Sequence, residues 1–322
     1  MNALVNRVLE LLYDRGDRFF LVEELARAAG ASQADLAQAL HDLRERGHRI
    51  ETQPAYGLRL VRPTTLSPAL IERDLGTRRV GRSVICFDRV GSTNDVAMAS
   101  ARQGDTDGLV VVAEYQDHGR GRQGREWISP PGANILLSVL LLTSDRAPRY
   151  DAVTIAAGLA TAEGIGQACG LRAGLKWPND VLLDGEKVAG VLLETRRVPP
   201  RWAVVIGVGI NANACPPPDR VDAPATDLAS HLGQPVERTE VIRAVLRRLD
   251  RRLEPMDARG LENLHQAWLS RCAMINARIV ARCDGVRYAG RVMDVSPMDG
   301  LTLCCDDGCQ VQLPAERTTL LR

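Results

Sequence analysis

A chain of 322 residues, 45% hydrophobic and 25% charged, has core enough for two or three globular domains. Its net charge of +1 gives no overall field toward nucleic acid or a membrane. No apolar run could span a bilayer, the N-terminus lacks a charged-then-apolar signal pattern, and the eight cysteines form no Cys-x-x-Cys pair, which points to the cytoplasm and to buried free thiols rather than disulfides or zinc.

Residues 1–65 read as a small helical unit. Ala3, Leu4, Val8, Leu11 and Leu12 give the apolar stripe of one helix, and Leu21, Val22, Leu25 and Ala28 that of a second, ended by Gly30. Ser32, with Asp35 three residues on, caps a third whose apolar face is Leu36, Ala39, Leu40 and Leu43. Residues 49–52 and 56–60, around a turn at 53–55, add a hairpin. The order is similar to a winged helix-turn-helix DNA-binding domain. Its base readers would be Ser32, Gln33, Gln38 and His41 on the exposed face of the third helix. Nine arginines against nine acids leave the unit neutral where a basic footprint is expected, so a protein-contact role stays open beside DNA binding.

An α/β unit follows a proline-marked boundary at 63–76. Residues 84–87 form a strand, and Ser92 starts a helix through 96–99, where Ser92 with Asp95 reads plainly as a capping pair. Strands at 109–114 and 134–140 precede an alanine-rich helix at 153–169. Residues 175–194 read as strand, proline turn, strand, Asp-Gly hairpin, strand. Gly207 and Gly209 interrupt a strand at 203–211, as where a ligand comes close. Helices at 240–253 and 261–272 close the unit.

Between the strands at 109–114 and 134–140 lies Gly119-Arg120-Gly121-Arg122-Gln123-Gly124-Arg125-Glu126-Trp127. Glycine lets backbone approach a ligand, and arginine offers a planar donor fork for phosphate or carboxylate. A solvated hairpin tip would have the same composition. Gly119-x-Gly121-x-x-Gly124 matches the dinucleotide fingerprint in its letters, but that fingerprint opens a helix, and Pro130-Pro131-Gly132 follows here. Phosphate-loop and protein-kinase motifs are missing. Of 41 basic residues only Lys176 and Lys187 are lysine, leaving 41 − 2 = 39 arginines. A compact ammonium is not interchangeable with a guanidinium, so these two read as chemically required.

Beyond residue 272 short runs recur at 278–281, 288–292, 301–303 and 310–313, separated by Asp-Gly turns at 284–285, 299–300 and 307–308. That spacing predicts a small antiparallel barrel of the SH3-like kind, serving as a cap or a contact surface.

Six motifs stand in one order: Gly91-Ser92-Thr93-Asn94; Glu114-Tyr115-Gln116 leading into the Gly/Arg loop; Gly132-Ala133-Asn134; Lys176-Trp177-Pro178-Asn179-Asp180; Lys187-x-Ala189-Gly190; and Gly207-x-Gly209-Ile210-Asn211. Over essentially the whole chain they resemble the bifunctional biotin–protein ligases of the biotin-operon-repressor type. The resemblance implies a multidomain α/β fold: a winged helix-turn-helix at 1–65, a biotin- and ATP-binding catalytic domain at 66–272 resembling class II aminoacyl-tRNA synthetases, and an SH3-like β-barrel at 273–322. It implies ATP-dependent formation of biotinyl-AMP and transfer of biotin to a lysine of the biotin carboxyl carrier protein of acetyl-CoA carboxylase. It also implies operator DNA as a partner, bound by a homodimer formed in the adenylate-bound state, with no membrane role. By the same resemblance Ser92, Thr93, Asn94 and Gln116 hold the ureido ring of biotin, and Arg120, Gly121 and Arg122 close over biotin and the adenylate phosphate. Lys187 would bridge the biotin carboxylate and the α-phosphate, with Arg120, Arg122 and Asp180 as its catalytic company. Gly119, Gly124, Lys176, Asn179 and Asn211 fall on the ATP side, and Mg²⁺ is the ATP counter-ion with Asp180 as a possible ligand. Trp127 and Trp177 are expected in the core, and Asn179 could serve only to fix the turn after Pro178. Gln123 and Glu126 depart from the more basic loop of the enteric relatives. Ligation without DNA binding, and lipoate-type ligation on the same fold, remain as alternatives; the polar set at 92, 93 and 116 suits a ureido ring better than an apolar dithiolane.

Overall fold

Three helices and a hairpin lead the chain in the computed structural model, which describes residues 3–103, 106–144, 149–221, 223–254, 258–296 and 299–321. Helices α1 (Ala3–Arg15), α2 (Val22–Ala29) and α3 (Gln33–Glu45) pack Val8, Leu12, Leu25, Leu36 and Leu43 together, and the hairpin of β1 (Ile50–Gln53) and β2 (Gly57–Leu60) closes this core with Leu58 and Leu60. The α2 stripe differs from expectation. Leu21 and Val22 are 53% and 37% exposed, because the helix turns Leu25 and Ala26 inward instead. Gly30 ends α2 at φ 68, a conformation glycine adopts without strain. His48, just past α3, is buried, and that burial pulls its pKa down to about 4.

After α4 (Pro68–Glu72) the chain builds a seven-stranded sheet. It comprises β3 (Ser83–Phe87), β4 (Leu109–Ala113), β5 (Ile135–Thr143), β6 (Gly174–Lys176), β7 (Asp180–Leu183), β8 (Glu186–Val198) and β9 (Arg201–Ile210), in the order β3-β4-β5-β9-β8-β7-β6. β3 and β4 run parallel and the other neighbours antiparallel. β4 and β5 are buried on both faces, which is why they read as unbroken apolar runs. α5 (Thr93–Ser100) covers one face with Ala97 and Met98. α6 (Tyr150–Cys169) covers the other and packs on α8 (Arg238–Leu253), helped by Gly164, where a Cβ would stand 2.5 Å from Val245 Cγ2. The short α7 (Leu228–Leu232), unforeseen, precedes α8, and α9 (Ala258–Leu269) follows it. No helix among the described residues is long and apolar enough to cross a membrane.

The last segment is a five-stranded antiparallel sheet, β10 (Arg278–Cys283), β11 (Val286–Ser296), β12 (Gly300–Cys305), β13 (Gln310–Leu313) and β14 (Thr318–Leu321), in the order β13-β12-β11-β10-β14. Four runs were foreseen; β14 was not, being four residues long with no turn dipeptide before it. Val292, Val295, Leu301 and Leu303 join the same apolar core as the seven-stranded sheet. The helical unit keeps a separate core that takes in Leu70 of α4, and polar contacts add to that junction: Tyr13 donates to Glu240 at 2.9 Å and Arg73 pairs with Asp14 at 2.7 Å. Arg238, 3% exposed, forks onto Glu114 at 2.5 and 3.1 Å, and Glu114 also accepts from the backbone of Leu66 at 2.9 Å.

Candidate active site

The open end of the seven-stranded sheet, the 119–127 loop, residues 216–221 and 223–225, and β14 enclose a cavity of about 660 Å³. Its floor is the start of α5. Ser92 occupies the N-cap position, yet its hydroxyl makes no capping bond, so the plain reading of Ser92 as a cap is wrong. Thr93, Asn94 and Ser138 are at most 4% exposed. Gln116 Oε1 accepts from the Thr93 backbone at 2.7 Å and lies 2.9 Å from the Thr93 hydroxyl. Ser138 Oγ lies 2.7 Å from Thr93 Oγ1 and 2.6 Å from Asn94 Oδ1. Two hydroxyl protons therefore serve three short oxygen–oxygen contacts, so this oxygen cluster is short of donors of its own. Asn94 donates its Nδ2 to Glu194 at 2.7 Å. Gly207 sits directly beneath, where a Cβ would be 2.5 Å from Asn94 Oδ1.

The loop is a tight hairpin. Gly121 N donates to Arg125 O at 2.7 Å and Trp127 N to Gly119 O at 2.9 Å, while Gln123 and Gly124 make the turn at φ 57 and 75. Arg120 reaches the cavity wall, but its fork is occupied by Asp95 at 2.7 and 2.8 Å, with Glu194 3.3 Å away. The hydrogen bond from Arg120 holds Asp95 below the usual carboxylate range. Arg122 donates to the carbonyls of Ala315 and, at 3.1 Å, Thr318. It is thus anchored on the last sheet, and burial pulls its guanidinium below the ordinary value.

Lys187 stands opposite, with Nζ 2.5 Å from Asp180 Oδ1 and 5.6 Å from the centre of the Trp127 ring. The strap at 224–226 pins it, since Lys187 N donates to Pro224 O and Thr226 N to Lys187 O. Trp127 is a wall of the cavity rather than core; Gly209 and Gly190 give its ring room, and a Cβ at Gly209 would be 2.4 Å from the ring. Trp127 Nε1 and Asn211 Oδ1 are buried in that wall without a protein hydrogen-bond partner.

Most of the sequence-predicted residues converge here. Ser92, Thr93, Asn94, Gln116, Arg120, Gly121, Arg122, Lys176, Asn179, Asp180, Lys187 and Asn211 all line the cavity. Gly119 and Gly124 do not. Gly119 lies beneath the Trp127 backbone, where a Cβ would meet its carbonyl at 2.4 Å, and Gly124 is at the exposed outer turn. Asn179 Nδ2 is committed to Val191 O at 2.7 Å, which favours its turn-fixing role. Trp177 is 1% exposed, as expected of core, though one edge reaches the cavity. Sequence reasoning missed Ser138, Glu194 and β14. Ser138 had a signal, being the one polar residue in the run 135–142.

The set Ser32, Gln33, Gln38 and His41 is exposed along α3, far along the chain from this cavity. Ser32 is engaged as the cap, accepting from Asp35 N at 3.1 Å, and Gln38 donates to Asp42 at 2.8 Å. The expectation of buried thiols fails for Cys215 and Cys309, which are exposed. Cys305, Asp307 and Cys309 bring donor atoms within 4.8 Å of one another at the β12–β13 turn, the one such cluster among the described residues, and it is not at the cavity.

Residues 86–211 match the model of the biotin/lipoate A/B protein ligase family. The bifunctional ligase/repressor BirA of Bacillus subtilis is 30% identical over 311 residues, 95% of this chain and 96% of that one. The biotin–[acetyl-CoA-carboxylase] ligase of Paracoccus denitrificans is 34% identical over 234 residues, covering 71% of this chain and 97% of the relative. Among solved structures, a biotin protein ligase from Aquifex aeolicus in complex with biotin and ATP superposes with a TM-score of 0.65 at 24% identity, over 75% of this chain and 99% of that one, a likeness of fold.

Proposed function

This chain belongs to the biotin protein ligase family, and on that premise we propose that it joins biotin to ATP as biotinyl-AMP and passes the biotin to one lysine of a carboxylase carrier domain. The observation that carries the reading is the donor-poor floor. Oxygens of Thr93, Ser138, Asn94 and Gln116 outnumber the hydroxyl protons between them, which suits a ligand that brings N–H donors, as a ureido ring does and a dithiolane does not. Ser92, free of capping, adds one more polar contact at the same end.

The chemistry requires no protein nucleophile. A carboxylate oxygen of biotin attacks the α-phosphorus, the bond to the β-phosphate oxygen breaks and pyrophosphate leaves. The carrier lysine amine then attacks the acyl carbon and AMP leaves. The chain's task is to hold two anions in line and to neutralise charge as it builds. Lys187 is placed for this, since its compact ammonium can turn from Asp180 to a ligand oxygen at little cost. Lys176 and Arg122 add positive charge around it, and the free acceptor of Asn211 suits an exocyclic amine such as that of adenine. Mg²⁺ would shield the triphosphate and assist departure of pyrophosphate. The cavity offers it a single well-placed carboxylate, Asp180, freed when Lys187 turns, which fits an ion that arrives on the nucleotide.

We assign the chain to three domains, at 1–65, 66–272 and 273–322. The helices and hairpin at 3–60 act as a winged helix that presents Gln33, Gln38 and His41 to operator DNA, and the adenylate-bound form dimerises before binding. The last sheet is an SH3-like barrel that also walls the cavity. Incubation with ATP, biotin and a biotin carboxyl carrier domain, read by streptavidin blot, tests the ligase; one labelled lysine is the expected outcome, and an unlabelled carrier refutes it. A gel shift on a biotin-synthesis promoter tests the DNA role, with a biotin- and ATP-dependent shift expected and no shift counting against it.

A further inference from the structure

We propose that Glu194 is the positioning residue that couples the ligand floor to the loop above it, a role that rests on the ligase reading. Glu194 ends the buried part of β8, and its carboxylate faces two ways. One contact is with Asn94, whose Nδ2 donates to Oε2 at 2.7 Å. The other is with Arg120, whose Nη2 lies 3.3 and 3.4 Å from the two oxygens while its fork holds Asp95.

The first contact fixes which way the Asn94 amide points. An ionised carboxylate only accepts, so the amide nitrogen must face Glu194 and Oδ1 must face Ser138. Ser138 then donates its single proton to Asn94 Oδ1, 2.6 Å away, and the Thr93 hydroxyl proton falls between Ser138 Oγ at 2.7 Å and Gln116 Oε1 at 2.9 Å. Gln116 Oε1 also accepts from the Thr93 backbone N–H at 2.7 Å, so the contacts run unbroken from Glu194 through Asn94, Ser138 and Thr93 to Gln116 on the cavity lining. A single carboxylate thereby fixes the orientation of the Asn94 amide and, through it, the direction in which the Ser138 hydroxyl donates. Its second contact places a charge-assisted bond on the loop that closes the same cavity. Floor and loop are joined through one side chain, 100 residues from Asn94 and 74 from Arg120.

The test uses the full chain and three variants, each checked by thermal melting. Glu194→Gln keeps an acceptor for Asn94 but removes the charge facing Arg120. Its biotin affinity should stay within about threefold of wild type, while biotinyl-AMP dissociates about tenfold faster, the factor expected for one charge-assisted bond. Asp95→Asn should show the same faster release with unchanged biotin affinity. Glu194→Leu removes both contacts and should lose about tenfold in biotin affinity as well. A Glu194→Leu variant with wild-type affinity and release, or Gln and Leu variants that behave alike in both, overturns the proposal. If the Leu variant does not fold, the Gln and Asp95→Asn pair decides by release alone. Wild-type protein that never forms biotinyl-AMP defeats the ligase reading and this inference with it, an outcome distinct from variants that match the wild type.

Discussion

Helices α3 and α5 begin with the same local pattern, a serine with an aspartate three residues on, and end up with opposite uses of it. At α3 Ser32 accepts from the backbone of Asp35 at 3.1 Å and the helix end is satisfied locally. At α5 Ser92 makes no such bond, and Asp95 turns outward to Arg120 of the loop. A capping pair is a local preference of about 1 kcal/mol, small enough for tertiary contacts to override. At α5 the serine that forgoes its capping bond stands on the floor of the cavity, so the same local pair serves a helix end in one place and a binding surface in the other.

That contrast, a locally satisfied helical unit against a catalytic unit satisfied at long range, can be broken or sharpened by experiment. The largest effect should come from Lys187→Ala, lowering adenylation about 10²- to 10³-fold, as removal of one preorganised charge donor does, with the melting temperature little changed. Near-normal turnover would remove Lys187 from the mechanism. Next is Glu114→Ala, which leaves the buried Arg238 without its counter-charge and should cost about 3–5 kcal/mol in denaturant unfolding. A loss below about 1 kcal/mol would mean that pair behaves like an exposed one.

Acid should act on the helical unit through His48. Its pKa falls from 6.5 unfolded to about 4 folded because burial disfavours the charged ring. The unfolded chain therefore takes up the proton first, so stability from neutral His48 is complete above pH 6.5 and is lost as pH falls toward 4, by up to about 3 kcal/mol. His48→Leu should flatten the stability profile between those values, and an unchanged slope would exclude His48 as the cause. The smallest and most direct comparison sets Ser32→Ala against Ser92→Ala. The first should lose about 1 kcal/mol of stability. The second should stay within about 0.5 kcal/mol and weaken biotin binding instead. Equal stability losses would show that Ser92 caps after all.

The contiguous motifs were legible because each carries its chemistry on neighbouring residues. The glycine and arginine alternation marked the loop, the two lysines marked the charged wall, and paired glycines at 207 and 209 marked the close approach of Asn94 and Trp127. What stayed hidden depends on contacts far apart in sequence. Ser138 meets Thr93 across 45 positions, Glu194 meets Asn94 across 100, and Arg122 finds its acceptor in Ala315 across 193. Arg120 lines the cavity as expected, but its partners were hidden for the same reason. Its type suits a phosphate, and the fold brings Asp95 and Glu194 beside it from 25 and 74 positions away. β14 was missed because Thr-Thr-Leu-Leu has no alternation long enough to read, and only its pairing with β10 makes it a strand.

The central claim, that this cavity activates a ureido-bearing acid with ATP, is tested most directly by ATP–pyrophosphate exchange with biotin and with lipoate as separate additions. The account predicts exchange that depends on biotin and is absent with lipoate, since the acceptor array of Thr93, Asn94 and Gln116 gains nothing from a dithiolane. Exchange with lipoate alone, or with neither acid, would contradict it.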